Sequence, residues 1–139
     1  MDLTQSGVRK LQPEGATVPM GAFSHGILVP LPGADLLFVT GQLALDKDRN
    51  VVGPNDPEIQ SEVVFGNIAR ILQEAGLGFE HVVKAQLFLT DMKHLPHIAR
   101  VRDKYFATSR PVSTLLEVSR LVREGCCIEV EVVAIRLHS

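Results

Sequence analysis

The chain has 139 residues, 45% hydrophobic and 22% charged, with 14 Lys and Arg against 16 Asp and Glu for a formal charge of -2. That is a length for one domain with a genuine core and an ordinary soluble composition. It excludes a dense basic run of the nucleic-acid-binding kind, though not a patch assembled in three dimensions, and no apolar run is long enough to span a bilayer.

The opening MDLTQSGVRKLQPEGA contains no apolar stretch of the signal-peptide type, so a cytoplasmic location is expected. Residues 1–18 read as an irregular polar segment, and residues 19–139 as a single α+β domain. GILVPLPG and ADLLFVTGQLALD read as two strands joined by a tight turn at Pro32-Gly33. Gly41, inside the second, marks a bulge or a close backbone approach. DKDRNVVGPND is turn and loop material.

A helix follows. Asp56 suits the N-cap, Pro57 the first helical position, and Glu58 the positive helix end. Ile59, Val63, Ile68, Ile71, Leu72 and Ala75 recur at helical spacing, and Gly76 can end the run. Gly66 costs this helix about 1 kcal/mol relative to Ala, so it either permits close packing or is simply tolerated.

VVKAQLFLTD reads as a strand with Val83, Ala85, Leu87 and Leu89 on one face and Lys84, Gln86, Phe88 and Thr90 on the other. A second helix begins near Pro96 and turns Ile98, Val101, Tyr105 and Phe106 inward. VSTLLEVSRL and CCIEVEVVAIRLH supply two final strands. The order β-β-α-β-α-β-β predicts a two-layer α+β sandwich with both helices on one sheet face. The run Val132-Val133-Ala134-Ile135 carries more aliphatic surface than two helices cover, which points to association through the other face.

Several residues can carry chemistry. Glu129 and Glu131 share one face of the last strand, and Glu117 has a comparable setting in its neighbour. A carboxyl against an apolar wall has its pKa raised and can act as a general acid. The plainer reading is a solvated face paired with Arg120 or Arg136. Thr40-Gly41 offers backbone groups to a small ligand or is a structural bulge. Ser113 and Thr114, in RPVST, can bind an anion, but no neighbouring base activates either hydroxyl. His25 contacts substrate or is structural. His94 and His97 have metal-ligand spacing without a third ligand, so no metal is expected. Cys126 and Cys127 are adjacent, which argues against a disulfide framework or a CxxC site and for two reduced, partly buried thiols.

Taken in order, MGAFSHG, FVTGQLALD, NIARILQEAG, VVKAQLFLTDM, RPVSTLLEVSRL and IEVEVVAI span roughly residues 19–137 and resemble the Rid family. That family is also called YjgF/YER057c/UK114 and is often labelled L-PSP endoribonuclease. The resemblance implies a chorismate-mutase-like fold and a homotrimer whose sheets surround a central barrel, with clefts between subunits. Active members similar to this chain hydrolyse enamines or imines such as 2-aminoacrylate to a keto acid and ammonia, with no metal or organic cofactor.

On the same resemblance, Glu129 falls on the glutamate associated with acid–base chemistry or positioning of water. Thr40 and Gly41 match the Ser-Gly pocket segment, and Phe23 stands at the common tyrosine position without its hydroxyl. Ser113 replaces the arginine that clamps the substrate carboxylate, a geometry serine cannot reproduce. Thr114 follows where a small residue is usual, Leu115 stands where cysteine is frequent, and Ala99 where active members carry asparagine.

The expectation is a divergent Rid-like hydrolase or deaminase acting on a small enamine, imine or related metabolite, in a pocket less dependent on carboxylate recognition. The alternative is a non-catalytic small-molecule-binding or regulatory trimer. Endoribonuclease activity is a third reading resting on a family label, and neither a basic groove nor an RNA-cleaving constellation supports it. Neither a membrane nor a nucleic acid is expected as a partner.

Overall fold

The computed structural model describes residues 7–139. Its strands are β1 (Arg9–Leu11), β2 (Gly26–Leu31), β3 (Ala34–Gln42), β4 (Val82–Leu89), β5 (Val112–Glu117) and β6 (Ile128–Leu137). Two helices, α1 (Pro57–Glu74) and α2 (Leu95–Tyr105), complete the α+β architecture. The strands form one sheet in the order β1-β2-β3-β6-β4-β5, antiparallel except for the parallel pair β4 and β5. β1 lies within the segment expected to be irregular: Arg9 pairs with Leu28 and Leu11 with Gly26, and Leu11 is buried. Residues 1–6 of that segment lie outside the described residues.

α1 begins as its sequence dictates. Asp56 Oδ1 accepts the backbone N–H groups of Glu58 (3.1 Å) and Ile59 (3.0 Å), satisfying two donors the helix leaves free. The helix ends where Gly76 takes φ +75°, and the N–H of Leu77 returns to the carbonyl of Leu72 at 2.8 Å. Its buried stripe is Val64, Phe65, Ile68, Ile71 and Leu72, extended by Gln60 and Ser61. Ile59 departs from the expected stripe: it is half-exposed at the first turn and folds back against Gly53 of the entry loop. Gly66 faces open space, so it is tolerated rather than required.

β4 also departs in one particular. The pairing with β6 slips between Val82 and Lys84, which leaves Val83 as an extra residue. Val82 therefore turns into the core and Val83 is exposed, while Ala85, Leu87 and Leu89 are buried as expected. The core lies between the sheet and both helices, with Leu37, Val39, Leu87, Val130 and Val132 meeting Phe65, Ile68 and Ile98. Phe65 stacks on Tyr105 with ring centroids 5.1 Å apart, and Tyr105 donates its hydroxyl to Glu62 at 3.0 Å, which ties α1 to α2.

The opposite sheet face carries no helix. Phe38, 48% exposed, sits opposite Val133 in register, and Leu36 opposite Ile135. No helix of the described residues is long and apolar enough to cross a membrane.

Candidate active site

The site begins at a defect in the sheet. β3 pairs with β6 residue for residue from Ala34 to Val39, and pairing resumes only at Gln42 opposite Val130. Thr40 and Gly41 are the bulge, so the chain bends there and opens a crevice beside Glu129. A Cβ built on Gly41 would lie 2.8 Å from Glu129 Oε1 and 3.0 Å from its Cδ. Glycine is what lets the carboxyl rest against the β3 backbone.

The crevice is lined by Met20, Phe23, Leu43, Leu45, Val122 and Glu129, with Thr40, Gly41 and Gln42 along its floor, and holds about 120 Å³. Glu129 makes no hydrogen bond or ion pair among the described residues. Burial, and then the neighbouring charge of Glu131, push its carboxyl above the ordinary glutamate value. Of the two arginines suggested as partners, Arg136 is engaged elsewhere, with Asp35 at 2.7 Å and the Gly76 carbonyl at 2.6 Å. Glu117 points away and accepts the Met92 N–H at 2.8 Å.

A short strap closes one side. The Thr17 hydroxyl donates to the Leu45 carbonyl at 3.1 Å, and Arg49 donates from Nε to the Val18 carbonyl and from Nη2 to the Pro19 carbonyl, each at 3.0 Å. His25 lies beneath it, 5% exposed, with Nε2 bonded to the Thr17 carbonyl and Nδ1 to the side-chain amide of Gln42 at 3.1 Å. Since a carbonyl can only accept, Nε2 carries the proton and Nδ1 accepts from Gln42. His25 is a brace with both nitrogens engaged. The Thr40 hydroxyl is likewise engaged, donating to the Ser24 carbonyl at 2.5 Å. Phe23 is half-exposed at the mouth and supplies an aromatic wall.

The structure thus gathers Phe23, Thr40, Gly41 and Glu129 and leaves Ser113, Thr114 and Leu115 apart. β4 lies between β6 and β5, so a whole strand separates Glu129 from the RPVST segment. Ser113 and Leu115 pair with buried Ala85 and Leu87, which puts them on the helix side. They line a separate cleft with Arg102, Asp103, Phe106 and Arg110. Thr114 aligns with Gln86 and, through it, Glu131, so it shares the uncovered face with the glutamates. Among the described residues, no cluster of three or more His, Cys, Asp or Glu side chains can hold a metal ion.

Sequence reasoning did not find the strap, Gln42, or the Leu43 and Leu45 wall. The signal for the wall was present, since a bulge at Gly41 reverses which residues after it face inward. Cys126 and Cys127 are both free and buried, as the adjacent pair suggested. Burial pushes the Cys127 thiol up to about 11.

Comparison with known proteins matches residues 14–136 to the endoribonuclease L-PSP family model. A RutC family protein of Saccharolobus solfataricus is 38% identical over 122 residues, covering 87% of this chain and 92% of the relative. Among solved structures, the Rid-family protein YyfA of Yersinia pestis superposes with a TM-score of 0.81 at 28% identity, covering 92% of this chain and 98% of its own. The YjgF gene product of E. coli gives 0.76 at 25% identity, with coverage of 92% and 98%. The chain belongs to the Rid family, whose sequence model bears the endoribonuclease L-PSP name.

Proposed function

We propose that the protein hydrolyses a small enamine or imine, releasing ammonia and a carbonyl compound, with Glu129 as its acid–base group. The observation that supports this most is the Glu129 carboxyl lying in an apolar crevice against Gly41, with no ion-pair partner among the described residues and its pKa raised by burial. A carboxyl kept protonated there can donate to the β-carbon of an enamine, giving an iminium. The resulting carboxylate then takes a proton from water as the water oxygen bonds to the iminium carbon. Glu129, protonated again, passes that proton to the amine nitrogen of the adduct and takes the hydroxyl proton as the C–N bond breaks, which forms the carbonyl and releases ammonia. The crevice volume and its Met20, Phe23, Leu43 and Val122 lining favour a compact, largely apolar substrate.

The working form in this reading is a cytoplasmic homotrimer of single-domain chains, with β1 of the N-terminal segment joined to the sheet. The sheet face bearing Phe38, Val133 and Ile135 turns inward to form a barrel, and each cleft is completed by a neighbour. Such burial would remove exposed apolar surface from water at roughly 25 cal/mol per Å². Phe23, Thr40, Gly41, Ser113, Thr114 and Leu115 would line that cleft around the substrate, Thr40 through its backbone because its hydroxyl holds Ser24.

A non-catalytic metabolite-binding trimer is the second reading, favoured by His25: the one histidine at the crevice is fully engaged and supplies no second proton-transfer group. Ammonia release from a panel of enamines and imines by the wild type and Glu129→Gln separates the two. Turnover that depends on Glu129 supports hydrolysis, and saturable binding without turnover supports the alternative.

A further inference from the structure

The segment DKDRNVVGPND reads as connecting material, yet one of its residues reaches two linings of the Glu129 crevice. The turn at residues 46–50 is closed by Asp46, whose N–H donates to the Asn50 carbonyl at 3.0 Å. Asp46 Oδ1 accepts the Asp48 and Asn50 N–H groups at 2.9 Å each. Arg49 stands in this turn at φ +68°, in the left-handed region, with its own N–H donating to the Asp46 carbonyl at 3.1 Å. A glycine or asparagine would serve that backbone at lower conformational cost, so the long side chain needs another reason. Its fork supplies one. Nε and Nη2 donate to the successive Val18 and Pro19 carbonyls at 3.0 Å each, and these residues with Met20 form the strap side of the crevice. The Arg49 carbonyl in turn accepts Nη1 of Arg123 at 2.6 Å, and the residue before Arg123, Val122, lines the same crevice from the loop after β5.

We propose that Arg49 is a positioning residue that sets the width of the crevice, and with it the size of molecule the crevice admits. Its side chain holds the strap and its backbone holds the Val122 loop, so one residue fixes the separation of the two. Neither segment has much else to hold it. Among the described residues, Val18, Pro19 and Met20 hydrogen-bond to the body only through Arg49 and through the Val18 N–H, 3.4 Å from the Lys47 carbonyl. Pro19 has no N–H to give. On the loop, Leu121 is anchored in a small apolar cluster with Leu43, Leu45 and Cys126, which leaves Val122, 74% exposed, at the rim beside Arg123. A planar fork matched to two adjacent carbonyls is a geometry that lysine cannot reproduce. Releasing either segment leaves Glu129 on β6 and Gly41 on β3, so the floor of the crevice stays while its mouth widens. The inference rests on the hydrolase reading for the reaction that this width would govern. The latch itself is tested without turnover.

The test pairs amide exchange with ligand size. By NMR, Arg49→Gln is expected to speed hydrogen exchange at the Val18 amide about tenfold or more. Arg123→Gln should do the same at the Cys126 amide, which bonds the Arg123 carbonyl at 3.2 Å. Arg49→Lys, a point donor in place of a fork, should restore only part of the protection at Val18. Calorimetric titration with two neutral, stable imine analogues, acetone oxime and the larger acetophenone oxime, reads the width. Both glutamine variants are expected to shift the ratio of the two affinities toward acetophenone oxime by about tenfold. An unchanged ratio, wild-type exchange at both amides, or absence of oxime binding in all of these proteins overturns the proposal. Ammonia release from acetone imine by wild type and Glu129→Gln keeps the two readings apart. Spontaneous rates there, with exchange and oxime ratio both shifted, remove the chemistry and leave the latch. Glu129-dependent release with neither shifted does the reverse.

Discussion

Gly41 lies directly beneath the carboxyl of Glu129: a Cβ at residue 41 would stand 2.8 Å from Oε1 and 3.1 Å from Cγ. The two residues act as one unit, and a double-mutant cycle measures it. Gly41→Ala is expected to destabilise by about 1 kcal/mol, at the low end of the overpacking range because a side chain rather than backbone must yield. In a Glu129→Ala background the clash is gone, so the penalty should shrink by about 0.5 kcal/mol or more in urea unfolding. An identical penalty in both backgrounds would separate the pair.

The raised pKa of Glu129 has a thermodynamic consequence with a definite sign. Its folded value lies above the ordinary 4.5, so between the two values the folded state holds more protons than the unfolded chain. Stability contributed by the protonated carboxyl is full below 4.5 and is lost as pH rises through the folded pKa. Glu129→Gln cannot ionise. Its melting temperature relative to wild type should therefore rise with pH across that window and level off above it, as followed by thermal unfolding at a series of pH values.

Gly66 has open space around its missing side chain and sits mid-helix in α1. Gly66→Ala is expected to stabilise the protein by about 0.5–1 kcal/mol through the cost glycine imposes on a helix. Chemical denaturation would show a higher midpoint with an unchanged slope.

The sequence carried the order of the helices and of five strands because caps, glycines and apolar periods are local signals. Asp56 and Gly76 bracket α1 for that reason. The misassigned residues are those decided by pairing between distant strands. Val83 was placed inward by alternation, and the slip against β6 turned it out. β1 was missed because three residues give almost no period, and their ordering comes from pairing with β2. The crevice was half legible: Glu129 and Thr40-Gly41 stand out as a carboxyl-bearing strand and a glycine inside a strand. The separation of Ser113 from Glu129 was not, since it depends on β4 inserting between β5 and β6.

The buried thiols give a prediction independent of the crevice. Burial raises both, Cys127 to about 11, so almost none of its thiolate exists near neutrality. Cys127 also donates its thiol to Gln60 Oε1 at 3.2 Å, beside a backbone N–H bond to the same oxygen at 2.8 Å. Iodoacetamide at neutral pH should leave both cysteines unmodified in the native protein and label them only under denaturant, as read by mass spectrometry. Rapid native labelling would contradict their packing.

The measurement that bears most directly on the account is the rate of ammonia release from small enamines and imines by wild type and Glu129→Gln. The account predicts catalysis above the spontaneous rate by the wild type on a compact, largely apolar substrate. It predicts a loss of about 10²-fold or more in Glu129→Gln, the scale of general acid–base assistance, with the fold retained. Spontaneous rates throughout the panel, or equal rates for the two proteins, would contradict the role given to Glu129.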